Sequence, residues 1–401
     1  MVSGNAAAMK SAGFWLVAWA FLVNMLGTTL PTPLYPLYER AYGFDALLVT
    51  IVFAIYAFGV LAGLLFFGYL SDEIGRRRVM LGGLVLAAGS ALAFLLAHGL
   101  PAIIVGRVLS GLSAGVFTGT GTAALVDLVA PEKRAKAASV AVAVNIGGLG
   151  VGTLLSGLLA QYAPDPLRLP FAVDLALTLL AIVAVLLARE TVTELKPLAL
   201  RVQRLRIPTE IRGVFVQATV TGMCGFAVAG LFSAVAPSFL GQILDLPNHA
   251  LAGLLVFAMM GMTALGQIVV RRFDRDRALV GSCVVLLIGI LLLAASLIGH
   301  SASLLFASAI LEGLGMGLGI GSGLSEINER IQHGRGEVSS AYFVLLYLGL
   351  AFPVIGVGLL ATKIGLSDAG LAFCALICVA LLGVLAYARS QAPSASGRRP
   401  A

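Results

Sequence analysis

Gly68-Tyr-Leu-Ser-Asp72-Glu73-Ile-Gly75-Arg76-Arg77-Arg78-Val-Met80 is the stretch on which the reading of this chain turns. It sets five charges of both signs between two apolar runs, each long enough to cross a bilayer. Two accounts of such a cluster compete. Its arginines can hold a short loop on the cytoplasmic side, or its aspartate and arginines can lock two helix bundles in one state and release them in another.

The rest of the composition says why charge is so sparing elsewhere. The chain has 401 residues, 59% of them hydrophobic and 11% charged, where a soluble domain carries about a quarter charged residues. Apolar runs recur along the whole length, as in a polytopic helical membrane protein. The net charge of +7 is spread over many short loops, which argues against a nucleic-acid surface. The four cysteines (Cys224, Cys283, Cys374, Cys378) fall inside apolar runs and read as small packing residues. No metal-ligand spacing, no phosphate-binding Gly-Lys loop and no cofactor motif occurs, so neither a metal nor a cofactor is expected. The first apolar run is long enough to remain as a helix, and no cleavable signal peptide is expected.

Twelve spans are expected, at 13–34, 46–70, 79–98, 101–127, 136–162, 168–189, 211–240, 249–270, 278–299, 302–328, 337–362 and 368–388. Each reaches the ~20 residues that the hydrocarbon core requires. The longest polar interval, Arg189 to Arg212, contains Pro197, Pro208 and six basic residues and divides the spans six and six. The domains expected are therefore a first bundle over 1–189, a cytoplasmic linker over 190–210, a second bundle over 211–390 and a disordered tail over 391–401. With the N-terminus inside, 22 of the 26 Lys and Arg fall on the cytoplasmic side and three (Arg40, Arg168, Lys363) outside. That imbalance sets both termini in the cytoplasm.

The halves are related. A shift of 202 residues lays Gly111, Gly115, Gly119 and Gly121 of span four onto Gly313, Gly317, Gly321 and Gly323 of span ten. Asp127 then meets Glu329. Parallel six-helix repeats place a site near the midplane between the halves, where rocking exposes it to either side. The fold class is an all-α membrane protein with 12 transmembrane helices in two pseudo-symmetric six-helix bundles, an architecture of transporters.

Here a resemblance becomes specific. Gly68-Tyr-Leu-Ser-Asp72-Glu-Ile-Gly75-Arg76-Arg77 resembles the Gly-x-Leu-x-Asp-x-x-Gly-Arg-Arg signature of the major facilitator superfamily between spans two and three, and Gly106-Arg107-Val-Leu-Ser-Gly111 resembles its second motif. The resemblance covers essentially the whole chain. It implies a latch of Gly68, Asp72, Gly75, Arg76, Arg77 and Asp127, and an Arg107 that projects into a central cavity. The second-half copy, Gly266-Gln-Ile-Val-Val270-Arg271-Arg272-Phe-Asp-Arg, has Val270 where the first half has Asp72, so the latch is expected to be one-sided and to steady the outward-facing state. In span five, Gly152-Thr153-Leu-Leu-Ser156-Gly157 keeps the small-residue spacing of the superfamily's drug:proton antiporters and lacks their proline.

Polar groups inside spans are costly unless they meet a cavity or a partner. Glu312, about ten residues into span ten, is the most deeply placed acid, and its expected role is proton carrier or counter-ion for a cationic substrate. Arg107 and Asp174 sit about six residues below the outer surface; a buried guanidinium needs an anion, and Asp174, Glu312 or an anionic substrate could supply it. Glu312, Asp174 and Arg107 are thus the proton-coupling candidates. Asn24, Thr28, Tyr56, Asn145, Gln217 and Tyr347 are the cavity candidates, with helix-helix hydrogen bonding the competing use of each. The prolines of Leu30-Pro-Thr-Pro-Leu-Tyr-Pro-Leu-Tyr38 are expected to end span one, and could shape an outer gate.

These readings describe a secondary transporter of the plasma or bacterial inner membrane, working by alternating access, with protons and a small organic compound (a drug or a sugar-like metabolite) as its partners. Proton-coupled efflux is the leading version, and a symporter or a uniporter is the alternative. A non-transporting sensor on the same fold and a membrane-embedded enzyme are the competing classes. The first lacks a signalling tail, and the second lacks converging catalytic groups. The resemblance implies a monomer.

Overall fold

The computed structural model describes residues 2–67, 70–192, 207–331 and 335–391. Its helices are α1 (Val2–Thr29), α2 (Tyr35–Tyr42), α3 (Ala46–Phe67), α4 (Leu70–Ile74), α5 (Arg76–Leu95), α6 (Leu100–Asp127), α7 (Arg134–Tyr162), α8 (Leu169–Leu187), α9 (Arg212–Ala234), α10 (Ala236–Ser238), α11 (His249–Val269), α12 (Arg275–Gly299), α13 (Ala302–Glu329), α14 (Arg335–Ile364) and α15 (Leu366–Gln391). Among the described residues there is no strand, and twelve helical stretches are long and apolar enough to cross a membrane. Gly68, most of the linker and the tail beyond 391 lie outside the described residues.

The matched glycines have a physical cause. A β-carbon at Gly111 would collide with the Tyr56 carbonyl, and one at Gly115 would stand 2.5 Å from the Val60 carbonyl. In the second half, Gly313 meets the Met259 carbonyl and Gly317 the Thr263 carbonyl in the same way. So α6 crosses α3 as α13 crosses α11, backbone against backbone, which only small residues allow. The repeat seen in the sequence is a repeat of helix crossings.

Two span ends differ from expectation. The prolines do end α1 at Thr29, yet the chain turns through a 3-10 segment, Thr32–Leu34, and resumes as α2. There Tyr35 and Tyr38 are fully buried, and Gly43, at φ 69°, closes the helix with its N–H on the Glu39 carbonyl at 3.1 Å. Span seven stops at Ala234 and not at 240. Pro237 cannot donate to the ladder, and the chain passes through α10 into a π-turn at Phe239–Ile243.

The two sets of six spans meet along α7 with α11 and along α3 with α14. At the face opposite the arginine-rich loops this seam is tight. Ser238 donates to Glu39 at 3.2 Å, and the His249 ring meets the Pro33 carbonyl at 3.1 Å. The His249 N–H donates to Gln161 at 2.9 Å. Gly157 packs on His249 and Gly253, and Gly358 packs against Thr50. Toward the arginine-rich face, Arg271 donates to the Ala135 carbonyl at 3.0 Å and to Ser139 at 2.9 Å. The second-half copy of the charged motif therefore bridges the halves through its arginine.

Candidate functional site

The charged motif assembles around Arg76. Its guanidinium pairs with Asp72 at 2.6 Å and with Asp127 at 3.3 Å, and donates to the Ser71 hydroxyl at 2.6 Å. Gly75 precedes it at φ 101°, a left-handed conformation that favours glycine. That turn leaves the first amides of α5 facing outward, and the Glu190 carboxylate takes two of them. Arg76 N–H donates to it at 2.9 Å and Arg77 N–H at 3.0 Å. A carboxylate on the N-terminal amides of a helix is favoured by both hydrogen bonding and the helix dipole. Arg77 completes the tie with a bond to the Leu186 carbonyl.

Asp72, Gly75, Arg76, Arg77 and Asp127 are thus brought together, and Glu190 is the member that sequence reasoning missed. Its only signal was position, an acid directly after Arg189 at the end of span six. Every recorded partner of Arg76 among the described residues lies in the first six spans, so in this conformation the cluster joins helices of one half. The expected contact between halves is made instead by Arg271.

Arg107 is 1% exposed and its environment differs from expectation. Neither Asp174 nor Glu312 pairs with it. The guanidinium donates to the Thr28 carbonyl at 2.9 Å, the Tyr35 hydroxyl at 2.9 Å and the Val52 carbonyl at 3.2 Å. Tyr56 and Phe53 stack their rings against it, at 4.9 and 5.6 Å from the centroids. The prolines explain this. Ending α1 at Thr29 leaves carbonyls of its last turn without helical donors, and a cation at a helix C-terminus meets the negative end of the dipole. Arg107 caps α1 and ties it to α2, α3 and α6. Arg107→Met should strand the Thr28 carbonyl at the end of α1, at a cost of about 1–3 kcal/mol for a buried acceptor without a partner, and release the Tyr35 hydroxyl. The expected result is a large fall in melting temperature and in yield of monodisperse protein; an unchanged melting temperature would contradict the capping role.

Glu312 and Asp174 lie apart. Glu312 is 2% exposed, and neither carboxyl oxygen has a hydrogen-bond partner. It packs on Gly289 of α12, whose β-carbon would stand 2.9 Å from it, so the carboxyl points into the second half and away from the seam. Cys224, Cys374 and Cys378 lie within its electrostatic reach. Asp174 is 3% exposed and lies on Gly27 of α1, with its Oδ1 unpartnered.

The cavity candidates divide. Asn24 and Thr28 are buried and engaged within the first half: Asn24 accepts from Ser113 at 2.6 Å, and the Thr28 hydroxyl donates to the Met25 carbonyl at 2.7 Å. Tyr56 and Tyr347 are neighbours across the α3–α14 seam, and the Tyr347 ring meets Phe226 edge-on at 5.4 Å. Asn145 and Gln217 are half-buried, on the stretches of α7 and α9 nearer the arginine-rich face. In span five, the Thr153 hydroxyl donates to the Gly150 carbonyl at 2.7 Å and to Gly253 at 3.2 Å, and Ser156 donates to the Leu30 carbonyl at 2.6 Å. The element without its proline is the place where α1, α7 and α11 meet.

Comparison with known proteins gives a consistent result. The family model described as Major Facilitator Superfamily matches residues 17–354. The Quinolone resistance protein NorA of Staphylococcus aureus is 27% identical over 163 residues, 41% of this chain and 41% of that protein. The Putative multidrug resistance protein MdtD of Salmonella typhi is 30% identical over 151 residues, 37% of this chain and 32% of that protein. The chain therefore aligns with less than half the length of these relatives. Among solved structures, a bacterial homologue of the human lysosomal transporter Spinster, captured inward-facing and unoccupied, superposes with a TM-score of 0.72 at 15% identity. The match covers 95% of this chain and 97% of that one, and establishes a shared fold.

Proposed function

The chain belongs to the Major Facilitator Superfamily, and on that footing we propose that it is a secondary transporter that exports a small organic compound in exchange for protons. The observation that carries the reading is the tight seam at the face opposite the arginine-rich loops, set against the Arg271 bridge at the other face. Glu39, Thr50, Gly157 and Pro33 of the first half meet Ser238, Gly358, Gly253 and His249 of the second at one face, and alternating access needs such a closure to form and break. With the arginine-rich face cytoplasmic, as the positive-inside rule implies, this is the inward-facing state of a protein in a bacterial inner membrane. In it the spans on either side of the linker act as two bodies.

Relatives named for quinolone and multidrug resistance support an exported drug-like compound. Glu312 is the proton carrier in this reading. Its carboxyl faces α12 and not the seam, which favours a proton role over that of counter-ion to a substrate between the halves. Arg107 takes no proton part; its donors hold α1. Asp72, Arg76 and Asp127 form a latch that is engaged within one half here and bears on the other half in the outward-facing state. A surface ion pair is worth only ~0–1 kcal/mol, and a network of several can bias a two-state equilibrium by more. The unbroken α7, lacking the antiporter proline, supports a symporter or a uniporter as the second reading.

Growth of cells with and without the protein across quinolones and other toxic compounds tests the export reading; lower susceptibility is expected, and higher susceptibility would point to uptake. Asp72→Asn should leave insertion and yield intact and remove that protection. Full protection by this variant would reduce the motif to a topology signal.

A further inference from the structure

Each half of the fold buries a carboxyl in its own interior with no ion pair among the described residues, Asp174 in the first and Glu312 in the second; Glu326, also buried, pairs with Arg330 at 2.9 Å. The register between halves can be read from packing. Gly121 lies on Phe21 as Gly323 lies on Ala218, so α9 follows α1 by 197 residues while α13 follows α6 by 202. Phe94 stacks on Phe171 at 4.6 Å, and a β-carbon at Gly370 would stand 2.8 Å from Leu297, so α15 follows α8 by 199 residues. Gly27, against which Asp174 rests, then corresponds to Cys224, and Asp174 to Phe373, the neighbour of Cys374. Cys224, Cys374 and Cys378 lie within electrostatic reach of Glu312, which packs on Gly289 of α12. The first half thus buries its carboxyl from α8 against α1, and the second buries its own from α13 against α12.

The surroundings of Asp174 point to what it holds. A β-carbon at Gly27 would stand 2.7 Å from both carboxyl oxygens, so the group lies against bare backbone of α1. Three buried polar atoms on the facing helices lack partners: Asp174 Oδ1, Thr178 Oγ1 one turn further along α8, and Asn24 Nδ2 one turn from Gly27 on α1. From α6 the charged group is Arg107, whose donors are taken by Thr28, Tyr35 and Val52; from α5 the packing residue is Phe94, on Phe171. No ion pair to Asp174 occurs among the described residues. A lone carboxylate in such a place is heavily penalised, whereas a neutral carboxyl can donate its O–H and accept at its other oxygen.

We propose that Asp174, with the unpartnered Thr178 and Asn24 on the same two helices, is a second proton-holding site, set in the interior of the first half as Glu312 is in the interior of the second. The inference rests on the proton-carrier reading of Glu312. The O–H bond of the carboxyl is the one formed and broken: the proton arrives from water at one face and returns to water at the other. The chain then carries two exchangeable carboxyl protons, one in each bundle.

Infrared spectra of the purified protein in lipid, in light and heavy water, test this directly through the carbonyl stretch of protonated carboxyls. Asp174→Asn should remove one band and leave the band that Glu312→Gln removes. Asp174→Glu should keep a band at a shifted frequency, which separates loss of the site from loss of the fold. An Asp174→Asn spectrum identical to wild type would overturn the second site. A missing Glu312 band with the Asp174 band present would overturn the Glu312 reading and leave the Asp174 site standing.

Discussion

A disulfide between Thr50→Cys and Gly358→Cys is expected to stop transport completely, and its reduction to restore it. Thr50 begins α3 and Gly358 lies in the last third of α14, on the face that the seam closes. A β-carbon on Gly358 would touch the Thr50 side chain, with its methyl 2.9 Å away. The two β-carbons therefore stand about 3–4 Å apart, close to the ~3.5–4.5 Å that a disulfide spans. Once formed, the bond holds the first and second halves together at one face, and the alternate opening cannot occur. The four native cysteines, three buried and one half-buried, sit on α9, α12 and α15, so they do not compete at this seam. The measurement is efflux of a fluorescent quinolone from cells before and after oxidation, and again after reduction. Continued efflux from fully cross-linked protein would contradict a rocking mechanism.

Glu312→Gln should reduce pH-gradient-driven transport to the level of protein-free liposomes, with exchange of substrate across the membrane retained. The substitution keeps the shape of the side chain and removes the proton. Because both carboxyl oxygens already lack partners, the amide trades one poorly satisfied group for another, and stability should change by about 1 kcal/mol at most. Loss of exchange together with loss of driven transport would instead mean that Glu312 supports the fold or the cavity.

Much of the architecture was legible because membrane helices must each satisfy their own backbone, which makes length and apolarity sufficient to find them. The repeat was legible because close helix crossings demand glycine, and Gly111, Gly115, Gly313 and Gly317 stand where backbones touch. Orientation within the bundle was not legible. These helices are apolar all round, so no stripe says which face meets a neighbour. That is why Glu312 could be placed at mid-depth yet not assigned to the α12 side, and why the bonds of Asn24 Oδ1 to Ser113 and of the Thr28 hydroxyl to the Met25 carbonyl were not foreseen. The partners of Arg107 were not legible for a different reason. The Thr28 carbonyl and the Tyr35 phenol are brought to it by the proline break at the end of α1, the Val52 carbonyl comes from α3, and carbonyls leave no trace in a sequence. Glu190 escaped because its target is the amide end of α5, exposed only by the left-handed turn at Gly75.

The central claim is that a proton gradient drives this protein to move a small organic compound. Purified protein in liposomes, loaded with a fluorescent quinolone indicator and given an imposed pH gradient, measures it most directly. The account predicts accumulation that depends on the gradient, collapses with a protonophore and is absent from Glu312→Gln. Accumulation that is the same with and without the gradient would contradict it.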